Sequence, residues 1–332
     1  VQYNIVNGNI MFFKFFAITK NTFVEIIRQP VYAVIIAAAV FLFFINPSLS
    51  MYTMDDDNKL LRELGLSTLF IAGLFISIFS ASAAITEEIE SKTIITTLSK
   101  PVPRFIFILG KFFGVIGALV LAHYIFTIAL LMSIRHGVLT NASDTHDMTV
   151  MLCAGITIIL PIAITALLNY FYDFKFTSTA IILISIFATI SIAFLAFIDK
   201  DWKFNPAENK IAAFDIYASI LLLIALFVLT AAAIMFSTRF NVLVTLSSCI
   251  GLFLLGLVSD YIFGRLADVH LWAKIGKIII PSLQVFWISD AIYEESATIT
   301  TGYIASCGIY GLFYTAAFIL LAVALFERKQ VG

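Results

Sequence analysis

Charge is scarce in this chain. Of its 332 residues only 12% are Asp, Glu, Lys or Arg, about half the share of an ordinary soluble domain, which is about 25%. The gap is filled by apolar residues, 61% of the whole, with a mean hydropathy of +1.03. A water-soluble globule has no interior large enough to hide that surface, which excludes a soluble enzyme. Disorder is excluded as well, because disordered chains are charge-rich and poor in aromatics, whereas this one carries 33 Phe. With 20 Lys+Arg against 21 Asp+Glu, the basic excess that nucleic acid attracts is missing. Cys153, Cys249 and Cys307 stand far apart in apolar runs with no CxxC pair, so neither a zinc site nor a disulfide framework is indicated. The roughly ten-residue alternating strands of an outer-membrane barrel are absent too. An all-α polytopic membrane protein remains.

A helix needs about 20 apolar residues to cross a hydrocarbon core about 30 Å thick. Eight stretches are long enough: 31–49, 64–85, 105–133, 149–171, 177–198, 215–237, 241–263 and 302–326. The first is followed by others, so it reads as a retained span rather than a cleaved leader. An even number of spans puts both termini on one side. That side and its loops hold 11 of the 20 Lys+Arg, a slight positive-inside bias toward cytoplasmic termini. Residues 161–185 and 226–250 share a pattern of helix, polar corner, helix, with corners at Tyr172–Lys175 and Ser237–Arg239.

Residues 9–30 form an element of their own. Lys14, Asn21, Glu25 and Arg28 fall on one helical face, and Phe12, Phe16, Phe23 and Ile27 on the opposite one. Such a helix lies in the membrane interface with its aromatics sunk among the headgroups. The loop of residues 86–104 predicts a second short helix. Thr86 suits an N-cap, with Glu87, Glu88 and Glu90 in the first turn, where the helix dipole favours anions. Lys100 closes it and Pro101 stops it. Arg104 and Lys111, at the start of the third span, are placed to reach phosphate headgroups.

Taken in order, this region resembles the signature of permease subunits of ATP-binding-cassette transporters of the type-2 exporter class. The elements are Glu87-Glu88-Ile89-Glu90, then Lys92-Thr93, then Leu98-Ser99-Lys100-Pro101-Val102-Pro103-Arg104, then Leu109-Gly110-Lys111. The helix at 9–30 is similar to that family's N-terminal elbow, and Pro281–Trp287 and the tail Glu327-Arg328-Lys329 also fit. The resemblance implies a single permease domain over 1–332, in the cell's inner membrane with both termini cytoplasmic. It implies that 86–104 is a coupling helix docking on a separate ATPase, two per complex, through Glu87, Glu88, Glu90, Lys92, Thr93, Leu98, Lys100, Pro101 and Arg104. ATP and Mg would then be bound by that partner, and a second permease copy or a sister permease would complete the assembly. An ordinary solvated loop is the plainer reading of the same glutamates. No P-loop exists in the chain: Gly110-Lys111 is followed by Phe112, and Phe105 stands where the first glycine is needed. The family core has six spans, so a further hairpin is expected near 149–237.

Other features carry two readings each. Gly110, Gly114 and Gly117 line one side of the third span and suit either packing within the subunit or a dimer seam. His123 is the one ionisable group deep in a span, a site for proton or substrate handling or a neutral ring bonded to a neighbouring helix. Asp55, Asp56 and Asp57 lack calcium-loop spacing, and His136, Asp144, His146 and Asp147 show no ligand pattern either, so no metal is expected. The segment 264–301, with Lys274, Lys277, Trp287 and Tyr293, reads as an interfacial or re-entrant piece on the outer face, an outer gate or a passive cap. Asp260, Asp268 and Asp290 near it read as solvated. A gradient-driven transporter needs buried charge near the midplane, and a lipid-modifying membrane enzyme needs an acid, base or metal cluster at the membrane edge. Both are weaker fits to these spans.

Overall fold

A computed structural model describes residues 2–51, 57–90, 102–139, 145–206, 211–266, 270–288 and 299–328; for residues 2–10, Glu87 and Glu90 it describes the backbone alone. Among the described residues the chain is helical, with one isolated antiparallel bridge between Ile198 and Phe204. Among the described residues eight helices are long and apolar enough to cross a membrane, and each coincides with one of the eight apolar stretches. The protein is an all-α, multi-pass membrane protein.

The elements are α1 (Gln2–Arg28), α2 (Pro30–Ser50), α3 (Asp57–Ser82), α4 (Arg104–His136), α5 (Met148–Tyr172), α6 (Phe176–Leu195), α7 (Ala213–Ser237), α8 (Val242–Ser259), α9 (Leu271–Ile279) and α10 (Thr301–Glu327). Helix α3 runs on without a break through a π-helical turn, Ala83–Glu87, into Glu88–Glu90, and α8 ends in a similar turn, Asp260–Gly264. Pro30 opens α2, where a missing N–H does no harm, and Gln29 ahead of it is extended, with ψ of 135°, as a residue before proline must be. Between α5 and α6 the chain reverses at Asp173, whose φ of 54° is left-handed. Asn169 secures that corner by donating from Nδ2 to the Phe174 carbonyl at 2.6 Å.

Three helices form the centre. The apolar stretches of α3, α7 and α4 are 78%, 67% and 56% buried, against 22–39% for the other spans. Hydrocarbon tails are as apolar as leucine, so in a bilayer helices associate through close packing and hydrogen bonds. The α3–α7 contact does both. A Cβ added at Gly73 would stand 2.4 Å from Leu226 Cδ1, and Thr230 Oγ1 lies 2.9 Å from Ser77 Oγ. Helix α2 is fastened by Tyr32, whose hydroxyl donates to the Ala118 carbonyl at 2.7 Å, and by Asn46 Nδ2 donating to Leu61 at 2.8 Å.

Helix α1 is longer than expected and packs lengthwise on the first half of α4. Ile18 lies over Gly110, Thr22 over Gly114 and Phe23 over Gly117, so the glycine face is filled from within the chain. The aromatic face expected for this helix therefore divides: Phe12 and Phe16 are exposed, while Ile27 is buried and Phe23 half-buried. The segment after α8 divides as well. Helix α9 exposes Leu271, Trp272, Ile275 and Ile278, the pattern of an interfacial helix. Residues 281–288 instead turn inward, where Leu283 N donates to Gly256 O at 3.0 Å and Phe286 is fully buried. Asp260 is exposed, in keeping with the solvated position expected for it, and accepts from Ser282 Oγ at 2.6 Å.

Candidate functional site

The end of the bundle where α3, α7 and α10 finish and α4 begins carries a polar network that ties these helices together. A helix leaves its last four carbonyls without partners, and here those carbonyls are taken by side chains from neighbouring helices. Thr86 donates through Oγ1 to Ser237 O at 3.2 Å and Phe240 O at 3.3 Å, beyond the end of α7. Arg239 donates to Leu325 O at 2.7 Å, and Arg104 to Glu327 O at 2.6 Å and Phe326 O at 3.3 Å. Two guanidinium groups thus sit at the C-terminus of α10, where the helix dipole favours cations.

Thr86 is therefore not an N-cap. It lies inside a continuous helix, 4% exposed, because its hydroxyl has better acceptors across the helix interface than its own backbone offers.

Lys111 also departs from expectation. It is 3% exposed and forms an ion pair with Glu88, with its ammonium 5.7 Å from the centre of the Phe107 ring. It cannot anchor to headgroups because its position on α4 turns it toward the extension of α3. Arg104, Phe107 and Lys111 form one face of α4, and Phe107 stacks on Phe326 of α10 at 5.6 Å. Glu88 is thereby committed, through one carboxylate oxygen, to a contact within the chain. Of the other residues expected to dock a partner, Glu87 lies in the π-helical turn and Glu90 in the short turn after it. Lys92, Thr93, Leu98, Lys100 and Pro101 lie outside the described residues.

His123 is 4% exposed. Its Nε2 lies 3.0 Å from the Ser219 carbonyl and 2.9 Å from Ser219 Oγ. A carbonyl only accepts, so Nε2 carries the proton and donates to α7. Thr127 Oγ1, 2.6 Å from the same serine hydroxyl, completes a small knot between α4 and α7.

Two buried ionic contacts at the opposite end escaped the sequence reading. Asp215, 1% exposed, accepts from Arg62 Nε at 3.0 Å, joining the first turns of α3 and α7. Arg135, 2% exposed, donates to the carbonyls of Leu195 and Ile198 and to Thr149 Oγ1. Its Nε is 3.6 Å from Asp147, which caps α5 by accepting from the Thr149 and Val150 amides. Neither pair has the spacing of neighbours on one helix: Arg62 and Asp215 are 153 positions apart, and Arg135 and Asp147 stand on different helices.

In the loop after α6, Asp199 accepts from the backbone amides of Lys203 and Asp201, both at 2.9 Å. Those bonds, the Lys203 amide foremost, hold its carboxyl below the usual carboxylate range. Among the described residues no three His, Cys, Asp or Glu side chains cluster as metal ligands would. Asp55, Asp56, Asp144, Asp268, Asp290 and Tyr293 lie outside the described residues. Compared with known proteins, the chain matches no family and no curated protein.

Proposed function

We propose that this chain is the permease subunit of an ATP-driven exporter of the type-2 ATP-binding-cassette class, set in the cell's inner membrane with both termini cytoplasmic. Residues 86–104 receive one of two separate ATPase subunits, which bind ATP and Mg, and a second permease copy or sister permease completes the complex. The observation that carries this reading is the ordered run from Glu87 to Lys111 between the second and third spans. Its two flanks are tied into the bundle: Glu88 pairs with Lys111, Thr86 bonds to the end of α7 and Arg104 to the end of α10. A displacement of the loop thus acts on α3, α4, α7 and α10 together. A partner shifts a conformational equilibrium only by binding its states differently, and a pair of ATPases that closes over nucleotide supplies that difference.

The test is purification of this chain from its native membrane into nanodiscs, with any ATPase subunit that comes with it identified by mass spectrometry, followed by an ATPase assay. Glu87→Ala, Glu90→Ala and Lys100→Ala are combined, and Glu88 is kept because it balances buried Lys111. The expected result is an assembly whose ATPase stimulation falls by about tenfold in the triple variant, as loss of interface anchors does, with an unchanged melting temperature. Failure of the wild-type chain to associate with any ATPase would overturn the proposal.

A further inference from the structure

At the end of the bundle opposite the Glu88–Lys111 pair, two histidines from different elements meet. His136 is the last residue of α4, and His146 stands just ahead of α5 and its cap, Asp147. Ten positions apart, they have no ligand spacing in the sequence, yet the fold brings His136 Nε2 to 3.4 Å from His146 Nδ1. The ring centres are 5.5 Å apart, so the rings meet edge to edge with these two nitrogens facing each other.

The tautomer of one ring is fixed. The Gly137 carbonyl only accepts, so His136 Nδ1, 3.0 Å from it, carries that ring's proton. In the neutral ring Nε2 is then a lone pair aimed at His146. A proton on His146 Nδ1 bridges the gap. Moved to Nε2, on a ring that is exposed, the same proton is solvated and two lone pairs are left facing one another. Two nitrogens held by a tetrahedral ion at about 2.0–2.1 Å stand about 3.3–3.4 Å apart, the separation found between these rings. The bond from His136 to a backbone carbonyl is the outer contact that ligating histidines make, and it raises the basicity of the other nitrogen.

The charges nearby are already engaged. Arg135 donates to the Leu195 and Ile198 carbonyls, and Asp147 is held by Arg135 and by Thr149. Imidazole suits zinc, copper and nickel, whereas calcium and magnesium take oxygen ligands.

We infer that His136 Nε2 and His146 Nδ1 together bind a divalent transition-metal ion of the zinc type, with water completing its coordination. The ion takes the place of the hydrogen bond between the rings and staples the start of α5 to the end of α4. Among the described residues no third protein ligand joins the pair, so the ion is an exchangeable one. The site stands whether or not an ATPase partner exists.

The experiment uses the full chain in nanodiscs, stripped of metal by a chelator and carrying no polyhistidine tag. Zn²⁺ is titrated by calorimetry into the wild type and into His146→Ala, with Mg²⁺ as the control cation. Saturable Zn²⁺ binding is expected at one site per chain, with none for Mg²⁺. His146→Ala should weaken it at least about tenfold, the least that loss of even an outer partner of a metal ligand costs. His146 is exposed, so this variant should keep the wild-type melting temperature in the absence of metal. His136→Ala should reproduce the loss; if it fails to fold, His146→Ala alone decides. Hydrogen exchange at residues 145–150 should slow with Zn²⁺ in the wild type and not in His146→Ala, as a bridge between two helices requires. No saturable binding, equal binding by wild type and His146→Ala, or exchange that Zn²⁺ leaves unchanged would mean that the rings share only a hydrogen bond and would overturn the inference.

Discussion

Helices α3 and α7 meet at a glycine and a run of small residues, whereas the α5–α6 hairpin joins the bundle through a small apolar cluster, Ile128, Met132, Val150, Cys153, Ala188 and Leu195, and through polar side chains beside it. At the first contact Gly73 lets Leu226 approach to a distance that a Cβ would forbid. At the second, Arg135 gathers the Leu195 and Ile198 carbonyls, Thr149 and Asp147, and Tyr124 bonds to Thr189 at 2.7 Å. The difference follows from the solvent. Apolar area alone gives a helix no reason to prefer protein over lipid, so a span is held by close fit or by hydrogen bonds. The centre combines fit with bonds such as Thr230–Ser77, and the hairpin adds to its apolar cluster the bonds of Arg135 at one end, Tyr124 along its length and Thr177 on the Arg28 carbonyl at the other. Room remains between the hairpin and α2 for an apolar cavity of about 190 Å³ beside Met132 and Ala154.

Each side of that contrast can be broken separately. The largest effect is expected from Arg135→Ala, which strands buried Asp147 and two carbonyls and should cost about 3–5 kcal/mol. A thermal melt would measure it, and thiol labelling of Cys153, buried on α5, should accelerate as the hairpin loosens. An unchanged melt and unchanged labelling would show that the hairpin is held by packing after all. Next, Glu88→Ala should cost about 3 kcal/mol by leaving Lys111 buried without its counter-ion. The double change Glu88→Gln with Lys111→Met should recover most of that loss in the same melt. Gly73→Val should cost about 1–3 kcal/mol through overpacking and should leave Cys153 labelling at its wild-type rate, since it strikes the centre alone.

Asp199 supplies the smallest expected effect. Its carboxyl is held below the usual range by the Lys203 and Asp201 amides, so its contribution to the loop is fully present above the unfolded value of about 3.9. That contribution is lost as pH falls through the lower, folded value. Hydrogen exchange at the Lys203 amide should therefore show protection that Asp199→Asn reduces at neutral pH. Equal protection in the two proteins would show that the carboxylate does not organise this loop.

The spans are legible because each apolar stretch comes to about the length a bilayer crossing requires, or more, and is bounded by proline, charge or a polar corner. Partnerships between spans were not. The glycine stripe on α4 signals close approach, yet nothing in residues 110–117 says that Thr22 and Phe23 of the same chain are what approaches. Thr86 followed by three glutamates has the form of a helix start; the acceptors that decide otherwise lie about 150 positions away, at Ser237 and Phe240. Lys111 was read as an anchor because local sequence shows that it stands near the start of a helix and not which way it faces. His123 was legible as a buried polar position, and only the structure supplies Ser219 as its partner.

The Arg62–Asp215 pair also bears on how the protein is made. Arg62 is synthesised 153 residues before its partner. At about 5–20 residues per second, that interval is roughly 8–30 seconds. During it the rest of α3 and then α4, α5 and α6 are made, and α3 lacks the neighbour against which its small-residue face will rest. The ribosome thus completes the hairpin before the centre, and Asp215, entering with the first turn of α7, arrives as the closing piece.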